Sequence, residues 1–233
     1  MTADRIADRP PAKRATATRA GILAGVAAPV ISWGLSVIVI AGWPGYDPIA
    51  QSISLLATAP LGWLQTVAFA ISGLLGAAWA IGLSSVLGET ARQRALVRGL
   101  LLLQAAIAFG FAVLPTDPVG VPTTTIGTLH LLDFYLYSIT MPLTLVALGL
   151  VMRRDPRWHG AAGPTLAAAG LVLLATALVP ATVDGPLTPW LGLLERLYVA
   201  IPSVWQVGAG LVAWRRSPGP TAGTRDLTLP AGR

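Results

Sequence analysis

Six apolar runs, each close to the roughly 20 residues that cross a bilayer, divide this chain: Gly21–Gly42, Leu61–Leu87, Ala95–Leu114, Leu129–Met152, Ala161–Val179 and Leu191–Trp214. Inside hydrocarbon every backbone N–H and C=O needs a partner within the protein, which leaves only helices or a closed barrel. Runs of this length are helical. The expected fold is therefore all-α, a polytopic membrane bundle of six transmembrane helices with short loops. Apolar residues make up 54% of the chain and charged residues 11%, a balance that excludes an ordinary soluble domain. The first run exceeds the roughly 7 to 15 apolar residues of a signal-peptide core, so it is expected to be a retained membrane helix. Residues 1–19 and 216–233 carry too few apolar groups to form a core and are expected as disordered tails flanking a domain at 20–215.

All but one of the sixteen Lys and Arg residues fall in the tails and alternate connections. Arg5, Arg9, Lys13, Arg14 and Arg19 precede the first run, Arg92, Arg94 and Arg98 follow the second, Arg153, Arg154 and Arg157 follow the fourth, and Arg215, Arg216, Arg225 and Arg233 close the chain. Cationic loops resist translocation, so this pattern predicts a bacterial plasma (inner) membrane protein with both termini cytoplasmic. Trp43, Trp63 and Trp190 fall where an outer aromatic belt belongs. The net charge of +6 is dispersed in short clusters beside apolar runs, which favours contact with membrane lipids over a nucleic-acid partner. With no cysteine, disulfides, thiolate metal sites and cysteine nucleophiles are excluded.

Arg196 is the exception, alone among acids on the outer side. Its guanidinium stays charged at any working pH, so it needs anions or water. The expected partner is a carboxylate, from Asp133, Asp117, Asp47 or Asp184; Glu195, its neighbour in sequence, points elsewhere around the helix. Three roles remain open: an ion pair locking the fourth helix to the sixth, an anchor for a bound anion, and snorkelling to the headgroups.

An ionisable side chain inside a span should face the bundle interior. On the fourth helix His130, Asp133, Tyr137, Met141 and Thr144 share a stripe. On the sixth, Glu195, Tyr198, Pro202 and Trp205 form another, with Arg196, Ser203 and Gln206 on the adjoining face. The two helices read as walls of one pocket opening toward the outer leaflet, with Gln104 and Trp33 deeper. In the outer loops Asp47-Pro48 and Asp117-Pro118 are good helix-capping chemistry, and Asp184-Gly185-Pro186 is good turn chemistry. Asp47 as cap and Pro48 at the first helical position predict a short helix through Ile49, Ser52, Ile53 and Leu56.

These residues point to acid–base or binding chemistry on a lipophilic molecule, a prenyl-type lipid being isomerised or cyclised. Asp133 is then the catalytic acid or base, His130 its relay and Arg196 the anion anchor, with Tyr135, Tyr137, Tyr198 and Trp205 stabilising cationic carbon. Ser52 or Ser54 becomes a nucleophile only if His130 reaches it. No metal is expected, since only one histidine lies on the outer side, and no cofactor motif is present. The alternatives are a non-enzymatic structural or interaction protein whose outer polar cluster is an ion-pair lock, and a small-solute transporter. The inner halves hold few ionisable groups to complete a transport path.

In order and spacing, Tyr46-Asp47-Pro48 with Gln51, Ser52, Ile53 and Ser54, then Pro115-Thr116-Asp117-Pro118, then His130, then Glu195-Arg196 resemble a bacterial six-pass membrane family, domain of unknown function 998. The resemblance covers roughly residues 20 to 215. This chain reads Leu55-Leu56-Ala57 where that family typically has a Leu-Gly turn. What the resemblance implies is a fold and a shared site, gathering Asp47, Gln51, Ser54, Asp117, His130, Glu195 and Arg196, but no established activity.

Overall fold

The computed structural model describes residues 12–182 and 185–217. It contains six long helices: α1 (Ala12–Ala41), α2 (Gly62–Ser84), α3 (Ala91–Val113), α4 (Thr125–Arg154), α5 (His159–Thr182) and α6 (Leu191–Arg216). All six are long and apolar enough to cross a membrane, and the described residues include no strand. The first helix starts at Ala12, inside the stretch expected as a tail. Local propensity accounts for this, because Ala12, Lys13, Arg14 and Ala15 are good helix formers and contain no breaker after Pro11. The rest of the two tails, 1–11 and 218–233, lies outside the described residues.

Each helix packs on its neighbours in sequence, and α6 closes back onto α1, so the bundle is a ring. Without a hydrophobic drive between helices in lipid, close packing has to come from small side chains. A Cβ on Gly82 of α2 would lie 2.6 Å from Ile22 N and 2.7 Å from Gly21 C of α1, so only glycine permits this approach.

Proline inside a helix frees the carbonyl four residues earlier, and in lipid that carbonyl needs a new donor. Two are supplied by neighbouring helices. Pro29 frees the Gly25 carbonyl, which accepts from Gln206 Nε2 of α6 at 2.8 Å. Pro142 frees the Ser138 carbonyl, which accepts from Thr176 Oγ1 of α5 at 3.1 Å. The prolines thus become stitches between helices.

One end of the ring gathers the α2–α3 and α4–α5 connections with the start of α1 and the end of α6. Arg19 Nε donates to Ser217 Oγ at 3.2 Å, joining first helix to last. Asp155, 1% exposed, binds the Arg157 guanidinium at 2.8 and 3.0 Å and receives Gly88 N–H at 3.4 Å, while Trp158 Nε1 donates to Val86 O at 3.1 Å. Burial alone would raise the Asp155 carboxyl, but the Arg157 and Gly88 donors outweigh it and hold it below its ordinary value. Behind this latch Ile22, Leu83, Leu87, Val97, Leu148 and Met152 fill the interior.

Candidate functional site

At the opposite end, the connection from α1 to α2 folds back over the bundle. Asp47 caps it: Oδ1 accepts the Ile49 and Ala50 N–H groups at 2.8 and 3.4 Å, and Asp47 N–H donates to Gln51 Oε1 at 2.8 Å. The capped segment is a single turn rather than the expected continuous helix. Helical structure resumes only as a 3-10 turn, Ser54–Thr58, because the carbonyls of Pro48, Ile49 and Gln51 are claimed by α6.

Arg196 makes that claim. Its Nη1 donates to Pro48 O at 2.7 Å, Gln51 O at 2.9 Å and Gly192 O at 2.9 Å, and its Nη2 donates to the Tyr46 hydroxyl. Leu193 N–H donates to Ile49 O at 2.9 Å, satisfying an otherwise orphaned donor of the α6 first turn. Gly192 permits the approach, since a Cβ there would meet Gln51 O. The expected carboxylate partner is absent: among the described residues Arg196 forms no ion pair with Asp133, Asp117 or Asp47, and Asp184 lies outside them. Carbonyl dipoles replace the anion because the loop delivers them at the one spot the guanidinium reaches. Tyr46, buried against this clamp, has its phenol pushed above its ordinary value by burial, against the opposing pull of Arg196.

The clamp sets the position of Ser54. Ile53 N–H donates to Glu195 Oε2 at 2.8 Å, fixing the backbone just before it. Ser54 Oγ then lies 2.8 Å from His130 Nε2, while His130 Nδ1 lies 2.6 Å from Leu114 O. A carbonyl only accepts, so Nδ1 carries a proton, and in the neutral ring Nε2 is then the lone pair that faces the Ser54 hydroxyl. Phe111 packs against the imidazole at a ring separation of 5.2 Å. The imidazole is oriented from both sides.

Two cavities meet here. The central one, about 180 Å³, runs inside the ring and is walled by every helix except α5. Its outer part includes Glu195, Phe111 and Tyr137, and its inner part Trp79, Gln104 and Trp205. The second, about 230 Å³, lies between α4, α5 and α6 and is walled by His130, Tyr135, Leu178 and Tyr198. Ser54, Phe134 and Glu195 border both.

The remaining candidates separate. Tyr137 and Tyr198 pack edge to face at 5.6 Å, one in each cavity wall, and Trp205 Nε1 is engaged with Thr165 Oγ1 at 2.9 Å. Asp117 accepts from the Thr124 N–H and hydroxyl at 2.8 Å each, and that hydroxyl in turn caps α4 by accepting Gly127 N–H. Asp133 is not beside His130 at the site. It packs against Gly110 of α3, with a buried Oδ2 that has no hydrogen-bond partner, and it borders neither cavity. Three residues along a helix turn about 300°, so the shared stripe has width, and His130 and Asp133 fall on its opposite edges. Among the described residues no three His, Asp or Glu side chains are placed to share a metal ion.

Residues outside the sequence reading also line the central cavity: Ser32, Ser36, Gln65, Ser72 and Trp79. Ser32 and Ser36, four apart in the otherwise apolar run Gly21–Gly42, were the available signal for the first two.

The family described as "Protein of unknown function (DUF998)" matches residues 26–212 of this chain. No curated protein and no solved structure matches the chain.

Proposed function

The chain belongs to the DUF998 family of membrane proteins of unknown function, and we propose that this member processes a lipophilic small molecule, with Ser54 as nucleophile and His130 as its base. The observation that carries the reading is the 2.8 Å contact between Ser54 Oγ and His130 Nε2 at the junction of the two cavities. A nucleophile, a base within hydrogen-bond reach and a third group orienting the base are the parts of serine acyl transfer. Here the third group is the Leu114 carbonyl instead of a carboxylate.

A lipophilic ester suits this arrangement. Ser54 Oγ attacks the acyl carbon as His130 Nε2 takes the hydroxyl proton; the C–O bond to the alcohol then breaks and His130 returns that proton to the leaving oxygen. Water, deprotonated by His130, releases the acid and restores Ser54. Glu195, Arg196 and Tyr46 are positioning residues, holding the loop that carries the serine.

Isomerisation or cyclisation with Asp133 as the acid is the weaker reading, because its free oxygen faces α3 rather than a cavity. A purely structural role accounts for the Arg196 clamp but leaves the oriented Ser54–His130 pair without a purpose. Transport is disfavoured by the packed apolar layer beneath the central cavity.

The orientation assigned to the chain puts the basic end in the cytoplasm and Ser54 toward the outer leaflet of the plasma membrane. Its support is that every described Lys and Arg except Arg196 belongs to that end. Since the chain lacks cysteine, single replacements report cleanly: in intact cells Thr123→Cys should react with an impermeant maleimide and Glu89→Cys should not.

The chemical test is an alkyl fluorophosphonate, which captures activated serines. Treatment of the purified protein should label Ser54, mapped by peptide mass spectrometry, and His130→Ala should abolish the label. An unmodified Ser54 in the folded wild-type protein would overturn the assignment.

A further inference from the structure

Most polar groups lining the central cavity already have partners. Ser32 Oγ and Ser72 Oγ bond each other at 2.6 Å, Ser36 Oγ donates to Gln65 Oε1 at 2.8 Å, Trp33 Nε1 donates to Ser203 Oγ at 3.2 Å, and Gln206 Nε2 donates to Gly25 O at 2.8 Å. Two do not. Trp79 Nε1 and Gln104 Oε1 are buried without a hydrogen-bond partner, and both residues line this cavity at its inner end. Trp79 is 2% exposed and Gln104 7%, so neither atom is satisfied by bulk water.

The orientation of Gln104 follows from its neighbours. Its Nε2 lies 3.0 Å from both Thr140 Oγ1 and Thr144 Oγ1, and the Thr140 hydroxyl already donates to Leu136 O at 2.7 Å. Thr140 Oγ1 can therefore only accept from Gln104, which puts the amide nitrogen there and leaves the amide oxygen without a partner, on a residue that lines the cavity. One unmet donor and one unmet acceptor remain, on α2 and α3. Buried polar groups in native proteins nearly always have partners, so this pair points to a missing one.

We propose that the inner end of the central cavity binds the hydroxyl of a lipophilic alcohol, which accepts from Trp79 Nε1 and donates to Gln104 Oε1. Ser and Thr hydroxyls show the same dual capacity; an alkane has neither function and an ester or ketone can only accept. The cavity, about 180 Å³, slightly exceeds the roughly 150 Å³ engineered cavity that admits benzene, so it takes a compact ring or a medium-length chain. Binding here requires no chemistry at Ser54 and goes beyond that reading. If one molecule occupies both places, Phe111 beside His130 and Gln104 are two turns apart on α3, which separates its two polar groups by about 10 Å.

The test uses the full chain in detergent micelles, labelled with ¹⁵N at the indole nitrogens and titrated with 1-octanol and, separately, with octane. The Trp79 Nε1–H resonance, assigned by its loss in Trp79→Phe, should move and saturate with octanol and stay in place with octane. Gln104→Leu should weaken octanol binding about tenfold, the equivalent of one hydrogen bond. Ser54→Ala should bind octanol as the wild type does, so failure of the serine chemistry and failure of this site are separate results. If Gln104→Leu does not fold, the wild-type contrast between octanol and octane still decides. Equal movement with both compounds overturns the proposal. So does no movement with either, the outcome expected if water alone fills the site.

Discussion

Two arginines of α6 are held in opposite ways, and they mark the two halves of the bundle. Arg216, at the basic end, stacks 4.5 Å above the ring of fully buried Trp158, beside the Asp155–Arg157 ion pair and over a filled apolar interior. Arg196, at the other end, reaches across to three backbone carbonyls and a tyrosine hydroxyl, above two cavities. At the basic end side chains lock helices and their connections to one another. At the Arg196 end a side chain locks a loop, and the loop presents a serine to a histidine. The same kind of residue serves packing in one half and positioning in the other.

That contrast breaks most directly at Ser54. Ser54→Ala should lower hydrolysis of a medium-chain p-nitrophenyl ester by at least about a thousandfold, whereas Ser52→Ala, whose hydroxyl only accepts Leu55 N–H at 3.2 Å, should leave rates within a few-fold of wild type. Equal losses in both would mean that the loop fold, not the nucleophile, is what the assay reads.

The clamp comes next. Arg196→Ala strands the Pro48 carbonyl, leaves Gln51 O only the Tyr46 hydroxyl, and should lower stability by roughly 1–3 kcal/mol, with faster proteolysis confined to residues 46–58. Arg196→Lys should recover only part, since one ammonium cannot reproduce the planar fork. Uniform proteolysis across the chain would remove the distinction between loop lock and helix lock.

Asp155→Asn tests the other end, with an expected loss of about 1–2 kcal/mol. Because the folded carboxyl titrates below its ordinary value, its contribution is present above the unfolded value of about pH 4 and is lost as pH falls through the folded one. Acidification should therefore lower the thermal midpoint of the wild type more than that of Asp155→Asn. Parallel curves would show that this latch carries no linked proton.

The smallest effect separates the two ends of one misleading expectation. Asp133→Asn and Arg196→Gln should add to within about 0.5 kcal/mol, since the residues share no contact. A coupling well beyond that would restore the ion pair that the geometry lacks.

The sequence alone determined six spans, their alternating charge and the capping role of Asp47, because each depends on segment length, local propensity or residues within one turn of each other. It also placed His130, Glu195 and Ser54 in one group through their family resemblance. It could not decide which atoms meet. His130 and Asp133 share a helical stripe, yet the ring directs one toward Ser54 and the other toward Gly110 of α3. Arg196 required a partner on electrostatic grounds, and a carboxylate was the natural choice. Only the return of residues 46–58 onto the first turn of α6 put carbonyl oxygens there instead. The free valences of Trp79 and Gln104 were equally hidden, because a polar atom is known to lack a partner only once every neighbour is in place.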